Sequence, residues 1–180
     1  MNSPDSFDVW DRLLNGYSSM DTWFGDTAKH KEELYAFRHK LPEAVNNIVR
    51  KNMYPKISTD IVVPEDKFYD MNEYYLEKLG EADVKHVVFG HIGENHLHIN
   101  FLPENEEELR KARAVYLEFI RKAVELGGTV SGEHGIGKIK KQFLEMMYGH
   151  YAIEEMARVK KAIDRNCILC PGNIFSRERF

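Results

Sequence analysis

The sequence predicts an α+β fold, a small antiparallel sheet with helices packed on one face. Amphipathic helical segments recur along most of the chain. Two β-type runs, at 84–91 and 96–102, flank the turn-rich residues "IGEN" and predict a hairpin. A separate short β-rich run, "KISTDIVVP", ends at Pro64. Helices and strands in this arrangement are typical of α+β domains.

Composition excludes several classes of function. The chain has 180 residues, enough for one domain with a hydrophobic core. Its 29 acidic residues outnumber its 25 lysines and arginines, which are spread along the chain, so we expect no nucleic-acid partner. The longest apolar runs are too short to span a membrane. The acidic N-terminus lacks the features of a secretory signal, and two cysteines form no disulfide framework, so we expect a cytoplasmic location.

The first half of the chain is predicted in order as follows. Residues 1–28 are expected to be irregular, with a short helix at 7–14. A long amphipathic helix follows at 28–52, and Pro42 is expected to kink or restart it. Its apolar stripe consists of Leu34, Phe37, Leu41, Val45 and Ile48. The segment "PEDKFYDMNEYYLEKLG" then predicts a helix that Gly80 caps.

The second half begins with the hairpin. The clearest helix covers 104–126, because acidic residues occupy its first turns and Gly127-Gly128 ends it. The segment "TVSGEHGIG" is a short strand or turn. Two further helices are predicted from "KIKKQFLEMMYG" and "AIEEMARVKKAID", and the tail is irregular.

The hairpin sequence "GHIGENHLHIN" places several imidazoles on one face. If the loop contains an even number of residues within 92–95, His91 lies opposite His96. Side chains alternate along a strand, so one face then carries His91, His96, His98 and Asn100. The other face, directed toward the helices, carries Leu97, Ile99 and Phe101. A register slip of one residue would destroy this arrangement.

Several imidazoles on one face fit a divalent metal. A carboxylate completes many catalytic metal sites, and Glu133, in the glycine-rich "VSGEHGIG", is the candidate. His134 beside it could act as a base rather than as a ligand. The alternative is that these histidines are surface residues or hydrogen-bonded core residues. The residues alone do not identify the metal or the reaction.

Three ordered motifs extend the interpretation. "GHIGENHLHIN", "GTVSGEHGIGKIK" and "DRNCILCPGNIF" resemble signatures of the C-terminal domain of FAD-linked 2-hydroxyacid dehydrogenases and oxidases, of the D-lactate dehydrogenase, glycolate oxidase and D-2-hydroxyglutarate dehydrogenase type. "YAFRHKLPE" and "KISTDIVVP" also resemble the family. The resemblance implies a partial ferredoxin-like cap domain over residues 29–180, which takes part in oxidising a D-2-hydroxy acid to the 2-oxo acid.

The resemblance also implies roles for individual residues. The metal ligands would be His91, His98 and Glu133, with zinc as the expected metal. His134 would be the catalytic base. Substrate contacts would come from Arg38, Lys56 and Asn100. Lys140 matches a motif lysine without an assigned role.

The chain departs from the family pattern at two places. His96 replaces an amide that contacts substrate, and it could instead join the metal shell. Cys167 and Cys170 form a C-x-x-C pair, which we interpret as incidental thiols.

The FAD-binding domain of the family is not matched, and no G-x-G-x-x-G follows a predicted strand. We therefore expect FAD to come from a missing domain or a partner chain, and the isolated chain to be inactive without it. We also expect a homodimer. The alternatives are a stand-alone or degenerate metal- or ligand-binding module without turnover, and a metal-dependent hydrolase using His91, His98 and Glu133.

Overall fold

The computed structural model describes residues 25–176. The chain divides into two compact units, Met1–Asn47 and Ile48–Phe180. The short helix predicted at 7–14 lies outside the described residues. The described helices are α1 (Ala28–Asn52), α2 (Phe68–Ala82), α3 (Glu106–Glu125) and α4 (Lys141–Ile163), and the strands are β1 (Ile57–Ser58), β2 (Ile61–Val62), β3 (His86–His91) and β4 (His96–Phe101).

Helix α1 begins in the first unit and passes through Pro42 without interruption. The predicted restart at Pro42 is therefore wrong, because the helix continues despite the one backbone hydrogen bond that proline cannot donate, and the kink stays a prediction. The predicted apolar stripe is buried only in part. Val45 is buried, whereas Phe37 and Leu41 are exposed.

The sheet of the second unit is built around β4. Strand β3 pairs with one edge of β4 along its whole length, and β1 and β2 share the other edge. The predicted β-rich run is split because Thr59 pairs with Ile99 through its backbone in one direction only, where its N–H donates to the Ile99 carbonyl oxygen at 3.0 Å, and through its side chain in the other. Its Oγ1 accepts a hydrogen bond from the Ile99 backbone N–H at 2.9 Å. The next residue, Asp60, then faces the loop after α3 rather than extending the strand.

The predicted hairpin register is confirmed. His91 pairs with His96 across a four-residue loop, and Phe89 pairs with His98. Asn95 closes the loop with a φ of 53°, a left-handed conformation that asparagine tolerates better than most residues. The even loop length therefore places the imidazoles on a common face.

The opposite face of β4 packs against helices α2 and α3, which confirms the α+β prediction. Ile99 and Phe101 are fully buried there beside Phe119 of α3. The ring centroids of Phe101 and Phe119 lie 6.3 Å apart, and the Tyr75 ring of α2 meets Phe119 edge-on at 4.7 Å. The helices and the sheet therefore share one apolar core.

Helix α2 continues past its predicted cap. It ends at Ala82, and Asp83 adopts the left-handed conformation expected of a cap, with a φ of 47°. Gly80 lies inside the helix, so the prediction that it is the cap is wrong. Leu79 and Ala82 are both buried, and their packing extends the helix beyond the glycine.

Helices α3 and α4 follow their local sequence signals. Asn105 caps α3 by accepting a hydrogen bond from the Glu108 backbone N–H at 2.9 Å. Gly127, with a φ of 74°, reverses the chain after α3. Gly149 interrupts α4 with a φ of 77°, which agrees with the two separate helices predicted there. The first of these begins at Lys141 and not at 138, since the preceding residues belong to a loop.

None of the helices described between residues 25 and 176 combines the length and apolarity needed to cross a bilayer.

We expect the Phe119→Ala variant to lose about 3–5 kcal/mol in the free energy of unfolding, because truncating a fully buried aromatic side chain leaves a cavity. The control is Leu76→Ala on α2, where the side chain is 64% exposed and little change is expected. Denaturant titration monitored by circular dichroism gives both values. Equal stability losses in the two variants would contradict this packing.

Candidate metal centre

Two elements of the second unit bring the predicted site residues together. The hairpin supplies His91 from β3 and His98 from β4. The loop between α3 and α4, which begins with an isolated β-bridge from Thr129 to Val62, supplies Glu133 and His134. The rings of His91 and His98 have centroids 5.9 Å apart, and those of His98 and His134 stack at 5.1 Å. Residues distant in sequence therefore form one cluster.

Glu133 occupies the middle of this cluster. Its Oε1 lies 3.0 Å from His98 Nε2, 3.5 Å from His134 Nε2 and 3.9 Å from His91 Nε2. The structure thus gathers the three predicted metal ligands and the predicted base around one carboxylate oxygen.

The tautomer of His98 is set by its other ring nitrogen. Its Nδ1 lies 3.2 Å from the Thr59 carbonyl oxygen, which only accepts hydrogen bonds, so Nδ1 carries a proton. In the neutral ring, Nε2 then directs its lone pair toward Glu133 Oε1. Two lone pairs this close repel each other unless a cation, a metal ion or a proton, lies between them. A backbone carbonyl that orients the ring in this way is typical of metal-binding histidines.

Asp60 anchors the loop that carries Glu133 and His134. Its fully buried carboxylate accepts hydrogen bonds from the backbone N–H of Glu133 at 3.1 Å and of His134 at 3.0 Å. Lys140 Nζ donates to it at 2.6 Å and Ser131 Oγ at 2.7 Å. The loop is therefore fixed by four hydrogen bonds to one side chain.

These contacts determine the charge state of Asp60. Burial alone would raise the pKa of its carboxyl. Hydrogen bonds from the Lys140 ammonium, the Ser131 hydroxyl and two backbone N–H groups outweigh burial and hold the pKa well below its usual range. Asp60 is therefore a carboxylate at neutral pH, balanced by Lys140.

Asp60 was missed by the sequence analysis, and Lys140 was given no role. The available signal was an aspartate inside a β-rich run, where this residue type is depleted. An aspartate retained between two strand segments indicates that its side chain has a specific partner. The identity of that partner, 80 residues away, was not readable from the run itself.

His96 is also part of the cluster. Its side chain is almost fully buried, and its ring centroid lies 4.3 Å from that of His98. Burial, followed by the charge of neighbouring His98, lowers the pKa of His96, which favours the neutral ring. One donor atom each from Asp60, His96, His98 and Glu133 lies within 4.8 Å of the others.

The predicted substrate contacts have different surroundings. Arg38 lies on α1 in the first unit, where its side chain is exposed. Asn100 is buried on β4, and its amide donates to the His98 carbonyl oxygen at 3.5 Å. Lys56 and His134 line a common cavity of about 940 Å³. Their roles toward a substrate stay predictions.

This cavity has a cationic lining. Besides Lys56, it is bordered by Arg113, Lys138 and Lys140, the last of which is paired with Asp60, and none of the aspartates and glutamates between residues 25 and 176 lines it. Most of its remaining wall is apolar, with Ile136 beside the glycines of the loop. The surface next to His134 therefore suits an anionic ligand with an apolar body.

The two cysteines lie outside the cluster. Cys167 and Cys170 are both free, and Cys170 is exposed.

Comparison with known proteins agrees with the motifs. Residues 10–174 match the family described as FAD linked oxidases, C-terminal domain. The chain is 31% identical over 154 residues to the glycolate oxidase subunit GlcD of Bacillus subtilis, covering 84% of this chain and 33% of that protein. It is 35% identical over 159 residues to the D-lactate dehydrogenase of Anaerostipes hadrus, covering 87% and 33%.

A third relative is the mitochondrial D-2-hydroxyglutarate dehydrogenase of Rattus norvegicus. It is 30% identical over 165 residues, which cover 91% of this chain and 29% of that protein. The chain thus spans about a third of the length of the curated relatives it matches.

We expect Lys140→Met to lower the free energy of unfolding at pH 7 by about 3–5 kcal/mol, because it leaves the buried Asp60 carboxylate without its counter-charge. Lys138→Met, at an exposed position of the same loop, is the control and should change little.

The loss in the free energy of unfolding caused by Lys140→Met should decrease as the pH falls. The folded-state pKa of Asp60 is depressed, so the stability it contributes is present above the unfolded-state pKa of about 3.9 and disappears as pH falls below it. The difference between wild type and Lys140→Met should therefore shrink between about pH 4 and pH 2. A difference that stays constant over this range would contradict the role given to the pair.

Proposed function

The chain belongs to the family of FAD linked oxidase C-terminal domains, and we propose that it is the substrate- and metal-binding part of an FAD-dependent oxidoreductase. The reaction is oxidation of a D-2-hydroxy acid of the lactate, glycolate or 2-hydroxyglutarate class to the 2-oxo acid. The relatives named above support the class of reaction. The imidazoles around Glu133 support the assignment of metal binding and proton transfer to this chain.

One observation carries the metal part of the proposal. His98 Nε2 lies 3.0 Å from Glu133 Oε1, and His91 Nε2 lies 3.9 Å from the same oxygen. Two imidazoles and a carboxylate around one point fit a divalent cation. We propose zinc, held by His91, His98 and Glu133, which would polarise the substrate hydroxyl and lower its pKa.

Residues around the cluster are proposed to accept the proton and to bind the carboxylate of the substrate. His134 is exposed and lines the cationic cavity, so its ring is open to a ligand while its backbone N–H is held by Asp60. We propose that His134 accepts the proton of the substrate hydroxyl. The cationic side chains of Lys56 and Arg38 are the proposed contacts for the carboxylate, which a guanidinium binds in a bidentate manner. Asn100 is proposed as a further substrate contact.

Side chains cannot accept a hydride, and FAD supplies that capacity in this class of enzyme. We propose that an FAD-binding domain or subunit completes the enzyme. Such a partner would cover part of the surface of this chain, and a symmetric homodimer is also proposed. In support, exposed apolar side chains follow one another near the end of α4 and beyond, at Val159, Ile163, Ile168 and Leu169. The cytoplasmic location stays a prediction.

We expect the purified chain to contain close to one equivalent of zinc, and His91→Ala to lose most of it, because a ligand nitrogen is removed. His86→Ala is the matched control, since His86 lies at the other end of β3 and its Nδ1 contacts the Val84 carbonyl oxygen at 2.9 Å. Elemental analysis of protein purified without chelators gives the metal content. Equal content in wild type and His91→Ala would exclude this ligand set.

We expect the isolated chain to be colourless and inactive, and to gain activity with D-2-hydroxy acids when combined with the FAD-binding domain of a relative. His134→Asn should lower the rate of dye reduction by about 10²–10⁴, the usual contribution of a general base. His150→Asn, at an exposed position of α4, should leave it unchanged.

Absence of turnover in every combination, with metal still bound, would favour the alternative of a binding module without turnover. A purified chain that retains flavin absorbance after desalting would show that FAD binds to this chain itself.

A further inference from the structure

We propose that His96 is a direct metal ligand, a fourth protein donor beside His91, His98 and Glu133. The inference rests on the metal-binding part of the proposed function. It adds one imidazole nitrogen to the three protein ligands already proposed for the metal ion.

The first reason is that His96 carries a buried nitrogen without a partner. The residue is 3% exposed, and its Nε2 makes no hydrogen bond to any described residue. Buried polar groups in proteins almost always have partners, and an unpaired one indicates a missing ion or water. The nitrogen belongs to the same group of donor atoms as His98 and Glu133, two of the three proposed ligands, so a metal ion is the partner that also satisfies its neighbours.

The second reason is that Asp60 does not serve as this partner. Its Oδ1 lies 3.2 Å from His96 Nε2, but the two atoms are not aligned for a hydrogen bond. Hydrogen bonds from the Ser131 hydroxyl, the Lys140 ammonium and two backbone N–H groups fix the orientation of the carboxylate. Lys140 already balances its charge. Asp60 therefore anchors the loop, and we do not include its carboxylate among the metal ligands.

The third reason is distance. Donor atoms of His96, His98 and Glu133 lie within 4.8 Å of one another. Ligand atoms around a zinc ion, each about 2.0–2.2 Å from it, are separated by about 3.4 Å in a tetrahedral arrangement. Side-chain rotations that move each donor atom by about an ångström would therefore bring the three atoms within bonding distance of one ion.

The surroundings also hold the His96 ring in this position. A Cβ at position 132 would lie 2.9 Å from His96 Cε1 and 2.6 Å from Val62 Cγ2. Gly132 thus allows the loop backbone to approach the ring closely, and the ring lies between the loop and the sheet. Because His96 and His98 are two residues apart on one strand, their rings point to the same side.

The test compares metal affinity in wild type, His96→Gln and the control His86→Gln. Metal-free protein is titrated with Co²⁺, and binding is followed by the visible absorption of the bound ion. We expect His96→Gln to weaken binding by more than about 100-fold and to change the cobalt spectrum, because one nitrogen leaves the coordination shell. A residue that only orients a ligand typically costs about 10–100-fold, so the spectral change is required as well. Wild-type affinity and spectrum in His96→Gln would overturn the inference.

A measurement on the wild-type chain keeps the inference testable if His96→Gln fails to fold. Protein labelled with ¹⁵N at histidine is loaded with ¹¹³Cd²⁺, and couplings between cadmium and ring nitrogens are recorded. We expect a one-bond coupling to a ring nitrogen of His96 in addition to those of His91 and His98. Couplings to His91 and His98 without one to His96 would overturn the inference and leave the proposed centre intact. A wild-type chain that binds neither Co²⁺ nor Cd²⁺ would overturn both.

Discussion

The buried ion pair between Asp60 and Lys140 is the contact on which the candidate site depends. Asp60 follows the first strand segment and Lys140 immediately precedes α4, so their contact joins the sheet to the loop between α3 and α4. The same carboxylate binds the backbone N–H groups of Glu133 and His134. A glycine-rich loop would otherwise sample many conformations. Because the loop is held through its backbone, the side chains of Glu133 and His134 stay available for their proposed roles toward a metal and a substrate.

Strand β4 connects this site to the hydrophobic core. Ile99 and Phe101 point into the core formed with α2 and α3, while His96 and His98 point to the opposite side. The alternation of side chains makes the two faces inseparable, since any register that buries Phe101 correctly also presents the imidazoles to the loop. Packing of the core therefore fixes the positions of the candidate ligands. The four-residue hairpin loop adds His91 to the same face.

The chemistry of the cluster matches the part of the proposed reaction that side chains can perform. Imidazoles and a carboxylate are close enough together to hold a metal ion, a further imidazole is the proposed proton acceptor, and cationic side chains border the adjacent cavity. Hydride acceptance requires a cofactor, which the proposal assigns to a flavin domain or subunit. The chain spans about a third of the relatives it matches, and this share contains the metal- and substrate-directed chemistry in the proposal.

The sequence by itself determined the features that depend on local spacing. The hairpin with its register, the capped helix α3 and the break at Gly149 all follow from side-chain periodicity and from turn residues. Local signals were wrong where packing outweighed them, as at Gly80, where burial of Leu79 and Ala82 extends α2. The motifs selected His91, His98, Glu133 and His134, and the hairpin register placed His96 on the same face. Only the tertiary structure revealed Asp60, its ion pair with Lys140 and the burial of the His96 ring. The buried pair of Asp60 and Lys140 joins residues 80 positions apart. A buried charge needs a partner of opposite sign, and no local sequence pattern specifies which distant residue will be that partner.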